Sequence, residues 1–135
     1  MNTAHALFAA DAFYVAFASK DIDAMDALWA RQHPVLCIHP GWPRLTEREA
    51  IIESWRNILG NPDQLGPLAY SKQAYVWGST VGVTCYEHMD GGVILATKAF
   101  VMEDGECRLV MHQGGPCNNP PQLSPDDLAD AEQLQ

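Results

Sequence analysis

Basic residues are scarce in this sequence, and none of them cluster. Eight Lys and Arg stand against seventeen Asp and Glu, for a formal charge of −9 at pH 7. Proteins that neutralise phosphates gather cations on one surface, so no nucleic-acid partner is expected. No apolar run nears the roughly 20 residues a membrane-spanning helix needs, so no membrane partner is expected either. The four cysteines, Cys37, Cys85, Cys107 and Cys117, form no C-x-x-C pair. Cys37-x-His39 would share one strand face and Cys85-x-x-His88 makes a second loose pair, but neither has the loop spacing of a zinc site, so no metal is expected. The opening MNTAHALFAADAF has no basic leader and carries Asp11 in its apolar stretch. The expectation is a cytoplasmic protein with reduced thiols. There is no Gly-rich phosphate loop, nucleophile elbow or H-E-x-x-H motif, and no cofactor is expected.

What is present suits one globular domain: 135 residues, 47% of them hydrophobic, enough for a core without staples. Residues 3–18 read as a helix, with Ala6, Ala9, Ala10, Phe13, Ala16 and Phe17 on one face and Tyr14 beside it. Asp21 is placed to cap a second helix over 22–30, whose stripe is Ile22, Met25, Leu28 and Trp29. His33-Pro34 breaks the helical pattern, and 35–38 follows as a short strand. After the turn His39-Pro40-Gly41-Trp42-Pro43, Thr46 with Glu49 reads as a capping box. The third helix it opens carries Ile51, Ile52, Trp55, Ile58 and Leu59 and stops at Gly60-Asn61-Pro62.

The second half changes period. Segments 68–78, 80–89, 93–103 and 107–114 read as strands, joined by Gly78-Ser79, Asp90-Gly91-Gly92 and Glu103-Asp104-Gly105-Glu106. Helices first and an antiparallel meander second make an α+β layout, a cone-shaped curved sheet wrapped around N-terminal helices. The single domain is expected over 1–117. Residues 118–135 form a polar, acidic C-terminal extension, with Asp126, Asp127, Asp130 and Glu132, expected to be mobile or draped on a partner.

Several features resemble the SnoaL-like branch of the nuclear transport factor 2-like superfamily over roughly residues 5–117. They are the Phe13-Tyr14 helix, Asp21-x-Asp23…Leu28-Trp29, Cys37-x-His39-Pro40-Gly41-Trp42, Ser54-Trp55, and a last strand running into His112-x-x-Gly115-Pro116. The resemblance implies a cystatin-like cone with a cavity. In the distantly similar ketosteroid isomerases a carboxylate before proline is the general base; the corresponding pair here is His39-Pro40, and Tyr14 corresponds to an oxyanion donor. Lys98 stands near the position of a buried protonated acid in those enzymes, and His112-Gln113 where the subgroup tends to carry two histidines.

His39, Tyr14 and His112 are thus the catalytic candidates. Alternation along the last strand puts His112 on one face with Val110, opposite Leu109, Met111 and Gln113. Glu87 and His88 must face opposite ways; Glu87 continues the apolar register Val81, Val83, Cys85 and is the member that would look inward, a solvated edge being the alternative for both. Phe13, Phe17, Trp42, Trp55, Glu87, Lys98 and Gln113 are the ligand-binding candidates, with Trp42 at a rim or interface and Trp29 and Trp77 in the core. The expected function is binding of a small hydrophobic or carbonyl-containing ligand. The alternatives are a cofactor-free isomerase, cyclase or dehydratase using His39 as base, and a homodimeric interaction scaffold pairing through its sheet.

Overall fold

The computed structural model describes residues 2–134. Its elements follow in the order α1 (Thr3–Ala18), α2 (Ile22–Leu28), β1 (Leu36–Ile38), α3 (Arg48–Gly60), β2 (Leu68–Trp77), β3 (Thr80–Met89), β4 (Gly92–Glu103), β5 (Glu106–Pro116) and α4 (Pro125–Leu134). The five strands make one open sheet in the order β1-β5-β4-β3-β2. Four of them form the antiparallel meander expected from the sequence, and β1 joins parallel to β5, with Cys37 opposite His112. The α+β class stands as read. Among the described residues no helix is long and apolar enough to cross a membrane.

The inner face of the sheet and the helices share one core. Phe13, Met25, Trp29, Ile51, Trp55, Val81, Val83, Phe100 and Leu109 are all fully enclosed in it. The starts of α1 and α2 and the end of α2 find side-chain partners. The Asn2 side chain accepts from the His5 N–H at 3.1 Å, and Asp21 accepts from the Ala24 N–H at 3.0 Å. The orphan carbonyls ending α2 are met from α3: the Arg48 guanidinium donates to the backbone oxygens of Asp26, Trp29 and Ala30 and to the Asp26 carboxylate.

Two local expectations fail. Thr46 does not cap α3; Glu47 takes that position without a side-chain bond. The reason lies next door, where Leu45 pairs with Cys37 by two backbone hydrogen bonds and holds the chain extended too long for a cap at Thr46. The second concerns the C-terminal extension, which folds onto its own domain. Ser124 and Asp127 form a reciprocal pair, Ser124 N–H to the Asp127 carboxylate at 2.8 Å and Asp127 N–H to Ser124 Oγ at 3.2 Å, which starts α4. The Tyr70 hydroxyl ties the extension to the sheet by donating to the Pro121 carbonyl at 2.7 Å.

Irregularities in the sheet matter more for function. Ala99 pairs with Met111 but Phe100 with Leu109, so Val110 is an extra residue on β5. This bulge bends the strand and resets its alternation. Leu109 and His112 therefore both face inward, and the expected sharing of a face between Val110 and His112 is corrected. Trp77, expected in the core, is 59% exposed on the outer face. It stacks on Tyr75 with ring centroids 5.7 Å apart and lies across Gly82, where an added Cβ would sit 2.4 Å from the indole.

Candidate functional site

At the end of the cone where β1 and β5 finish, a half-open hollow of about 350 Å³ separates α3 from the sheet. Phe17, Trp55, Ile58, Met89 and Ile94 give it an apolar lining, and His39, His112, Glu87 and Gln64 are its polar members. Pro40 and Trp42 complete the rim, with Trp42 45% exposed as its position in the turn suggested. That turn is built by sequence. Pro40 supplies the fixed first corner, Gly41 takes φ +82°, and the Trp42 N–H closes on the His39 carbonyl at 2.9 Å, the pattern of a type II turn. Gly114 brings the rim close to β5: an added Cβ there would stand 3.0 Å from Ile94 and 3.3 Å from Pro40. Lys20 fixes the loop that carries Gln64 by donating to the carbonyls of Asn61 and Gln64 at 2.8 and 2.6 Å.

His39 leaves β1 and is buried, its ring edge-on to Trp42 and Trp55 at 4.9 Å from each. Its Nε2 lies 2.8 Å from Ser54 Oγ. Ser54 donates its single proton to the Ile51 carbonyl at 2.6 Å, so His39 Nε2 must carry the hydrogen and donate to Ser54. The other nitrogen, Nδ1, keeps its lone pair and has no protein partner. Burial pulls the His39 pKa from 6.5 to about 4, so the ring is neutral at pH 7. His112, whose ring centroid is 6.4 Å away, is also buried, and its Nδ1 is sealed without a hydrogen bond. Burial first, then the Lys98 charge and His39, hold His112 well below the usual histidine range.

Behind the wall lies a chain of short polar contacts. The Tyr14 hydroxyl donates to Glu87 Oε2 at 2.5 Å and accepts from Lys98 Nζ at 2.6 Å, with Cys85 Sγ 2.9 Å away. Lys98 is 0% exposed; its ammonium sits 3.8 Å from Glu87 Oε2 and over the rings of Phe13 and Tyr14 at 4.2 and 4.3 Å. Burial, then the Glu87 charge, push the Tyr14 pKa well above 10, so the phenol stays protonated. Burial likewise raises the Cys37 thiol to about 12, which keeps it an un-ionised neighbour of His39 at 3.6 Å.

His39, His112, Phe17, Trp42, Trp55 and Glu87 thus meet at one hollow. Glu87 is inward and buried, and His88 is exposed. Tyr14, Phe13 and Lys98 do not line it. Tyr14 and Lys98 spend their polar groups on Glu87 and each other, and the Phe13 ring is closed in by Trp55 and His112 at 5.2 and 5.0 Å. Gln113 is exposed on the opposite face, since it directly follows inward-facing His112. In the sequence Ser54 stands out only as part of the Ser54-Trp55 pair. A hydroxyl next to Trp55 on the buried stripe of a helix was the available signal for it. Gln64, Met89 and Ile94 come from loops and strand ends, and only the tertiary structure brings them to the rim.

An open, curled sheet closed over helices, with a half-enclosed hollow at one end, defines a cystatin-like, nuclear transport factor 2-like domain. The chain belongs to the SnoaL-like family, whose domain model matches residues 7–117. No functionally curated protein matches it by sequence. Among solved structures it is similar to a proposed dehydratase of the nuclear transport factor 2-like family from Streptomyces avermitilis, at 26% identity and TM-score 0.78 over 87% of this chain and 96% of that one. It is also similar to a proposed calcium/calmodulin-dependent protein kinase type II association domain from Thiobacillus denitrificans, at 30% identity and TM-score 0.70 over 82% and 93%. A nuclear transport factor 2-like protein of unknown function from Pseudomonas putida shares the fold at 11% identity, with TM-score 0.73 over 84% of each chain.

Proposed function

We propose that this SnoaL-like domain binds a small hydrophobic or carbonyl-containing molecule in the hollow, with His39, His112 and Glu87 orienting it. The observation that carries this reading is the apolar hollow with the buried His39 imidazole on its wall, whose Nδ1 no protein group satisfies. Buried polar atoms are normally paired, and an unpaired one at a cavity is most economically explained by a ligand that completes it. Native mass spectrometry of protein purified from its own host should retain a bound small molecule. His39→Ala should weaken its binding by about tenfold, the worth of one good hydrogen bond. Unchanged affinity with only a lower melting temperature would sink the reading for His39.

A second reading is a cofactor-free dehydratase, cyclase or isomerase. The tautomer of His39 favours it, because Ser54 holds Nε2–H and leaves Nδ1 basic, the arrangement a general base needs. The similarity to the Streptomyces protein described as a proposed dehydratase supports the same class. On an enolisable or β-hydroxy carbonyl substrate, the rate should fall as pH drops through about 4, where His39 protonates. A fall centred near 6.5 would exclude His39 as the base.

Pairing into a homodimer through the sheet is part of the proposal, and exposed Trp77, stacked on half-buried Tyr75, supports it. Trp77→Lys should convert such a dimer to monomer in light scattering. A cytoplasmic location accords with the buried thiols of Cys37 and Cys85.

A further inference from the structure

The polar inventory of the hollow is lopsided. Among the described residues no Lys or Arg lines it, and Glu87 is the one carboxylate that does. Lys98, the cation nearest to Glu87, is fully enclosed and committed to Tyr14 and to Glu87 Oε2, so it cannot reach a ligand. Glu87 Oε2 is taken by the Tyr14 hydroxyl, while Oε1 accepts nothing from the protein. His39 Nδ1 is a second acceptor without a partner, because Nε2–H is spent on Ser54. The Gln64 amide nitrogen spends one of its two hydrogens on the Leu65 carbonyl at 3.1 Å. The wall therefore holds two acceptors without a protein partner, one of them on its only carboxylate, beside the neutral His112 ring, the Trp42 indole and the second Gln64 N–H.

We infer that the hollow selects an uncharged apolar molecule that donates hydrogen bonds through a hydroxyl or N–H group, and that it rejects carboxylates. The inference rests on the reading of the hollow as a binding site and names what that site takes. A donor on the ligand completes Glu87 Oε1 or His39 Nδ1, and a hydrogen bond to a carboxylate is stronger than a neutral one. A ligand carboxylate would stand against Glu87 Oε1 in a poorly solvated space, with the Lys98 ammonium behind Oε2 and out of bonding reach. An ether of the same shape leaves Glu87 Oε1 and His39 Nδ1 without a donor. The volume is near the lower end for small-molecule sites and suits a molecule of about two fused rings.

The test is a matched series of probes on the full chain, measured by equilibrium dialysis at pH 7: 2-naphthol, 2-methoxynaphthalene and 2-naphthoate. Naphthol should bind at least about tenfold more tightly than the methoxy compound, although the latter is the more hydrophobic, and naphthoate should be the weakest of the three. Ile58→Trp, which fills the hollow, should abolish naphthol binding. In the paired variant Glu87→Gln with Lys98→Met, which removes both charges together, naphthoate should come within about threefold of naphthol. Naphthoate equal to naphthol on the unaltered protein, or methoxynaphthalene equal to it, would overturn the inference and leave the binding site standing. Naphthol binding that survives Ile58→Trp, or no binding of any probe, would overturn the site itself and the inference with it.

Discussion

Two glutamates mark the two ends of the same curled sheet, and they are satisfied to very different degrees. Glu103, at the far end of β4, receives the backbone N–H of Arg31 at 2.9 Å, the N–H of Gln32 at 2.8 Å and His33 Nδ1 at 2.6 Å. Burial alone would raise its pKa, but the bonds from Arg31, His33 and Gln32 outweigh that and hold the carboxyl at about 2. Glu87, on β3 at the hollow, has one oxygen bonded to Tyr14 and backed by Lys98, and the other unused by the protein. Both residues are nearly closed to solvent, at 5% and 6% exposure. Burial therefore does not separate structural carboxylates from functional ones; completeness of the hydrogen bonding does. The Glu103 end is a finished clamp on the loop between α2 and β1, and the Glu87 end is a wall with a vacancy for a donor.

The largest effect should come from breaking the charge pair behind that wall. Lys98→Met leaves Glu87 without its buried cation and should lower the unfolding free energy by about 3–5 kcal/mol in urea titrations. Adding Glu87→Gln should restore much of it, and a double variant no more stable than the single one would refute the pairing. Glu103→Ala exposes the two N–H groups of the clamp and should cost about 2–3 kcal/mol, with hydrogen exchange rising at Arg31 and Gln32.

The pH dependence separates the two ends further. Glu103 titrates below its ordinary 4.5, so its stabilisation is complete above that value and is lost as pH falls towards 2. His39 titrates at about 4 instead of 6.5, so the unfolded chain takes up the proton first, and stability is lost as pH falls from 6.5 towards 4. Urea midpoints of the unaltered protein should thus drop in two windows. His39→Gln should shrink the upper drop, leaving the share that buried His112 contributes from the same 6.5 downward, and Glu103→Gln should flatten the lower. A variant that flattens the wrong window would undo the assignment. The smallest effect should be that of Tyr70→Phe, which loses the bond to Pro121 and about 0.5–1.5 kcal/mol. Limited proteolysis should then cut the C-terminal extension faster while the hollow keeps its ligand.

Much of the fold was legible in local pattern. The bounds of α1 and β3 fall where periodicity and turn residues put them, and Asp21 caps α2 as its position before an apolar stripe implied. The failures have local causes too. Ser124-Pro125-Asp126-Asp127 is a helix start in its own right, with a capping serine, proline at the first helical position and an acidic partner, although the surrounding composition suggested a loose tail. Alternation on β5 misassigned Val110 and Leu109, because a bulge depends on how two strands register and leaves no mark in either one.

The candidate site divides along the same line. His39 in a Pro-Gly turn and Trp55 on a helical stripe could be picked out because each sits at a recognisable local position. The amino-acid sequence by itself determined the elements, their order, the apolar faces and therefore the α+β cone, since propensity, capping and hydrophobic period act within a few residues. Only the tertiary structure decided that Lys98 is sealed behind Tyr14, that Ser54 sets the tautomer of His39, and that Glu87 keeps an oxygen free. Those facts arise from atoms 15 to 84 positions apart in the chain, whose distances are fixed by how the sheet curls over the helices and by nothing local to either partner.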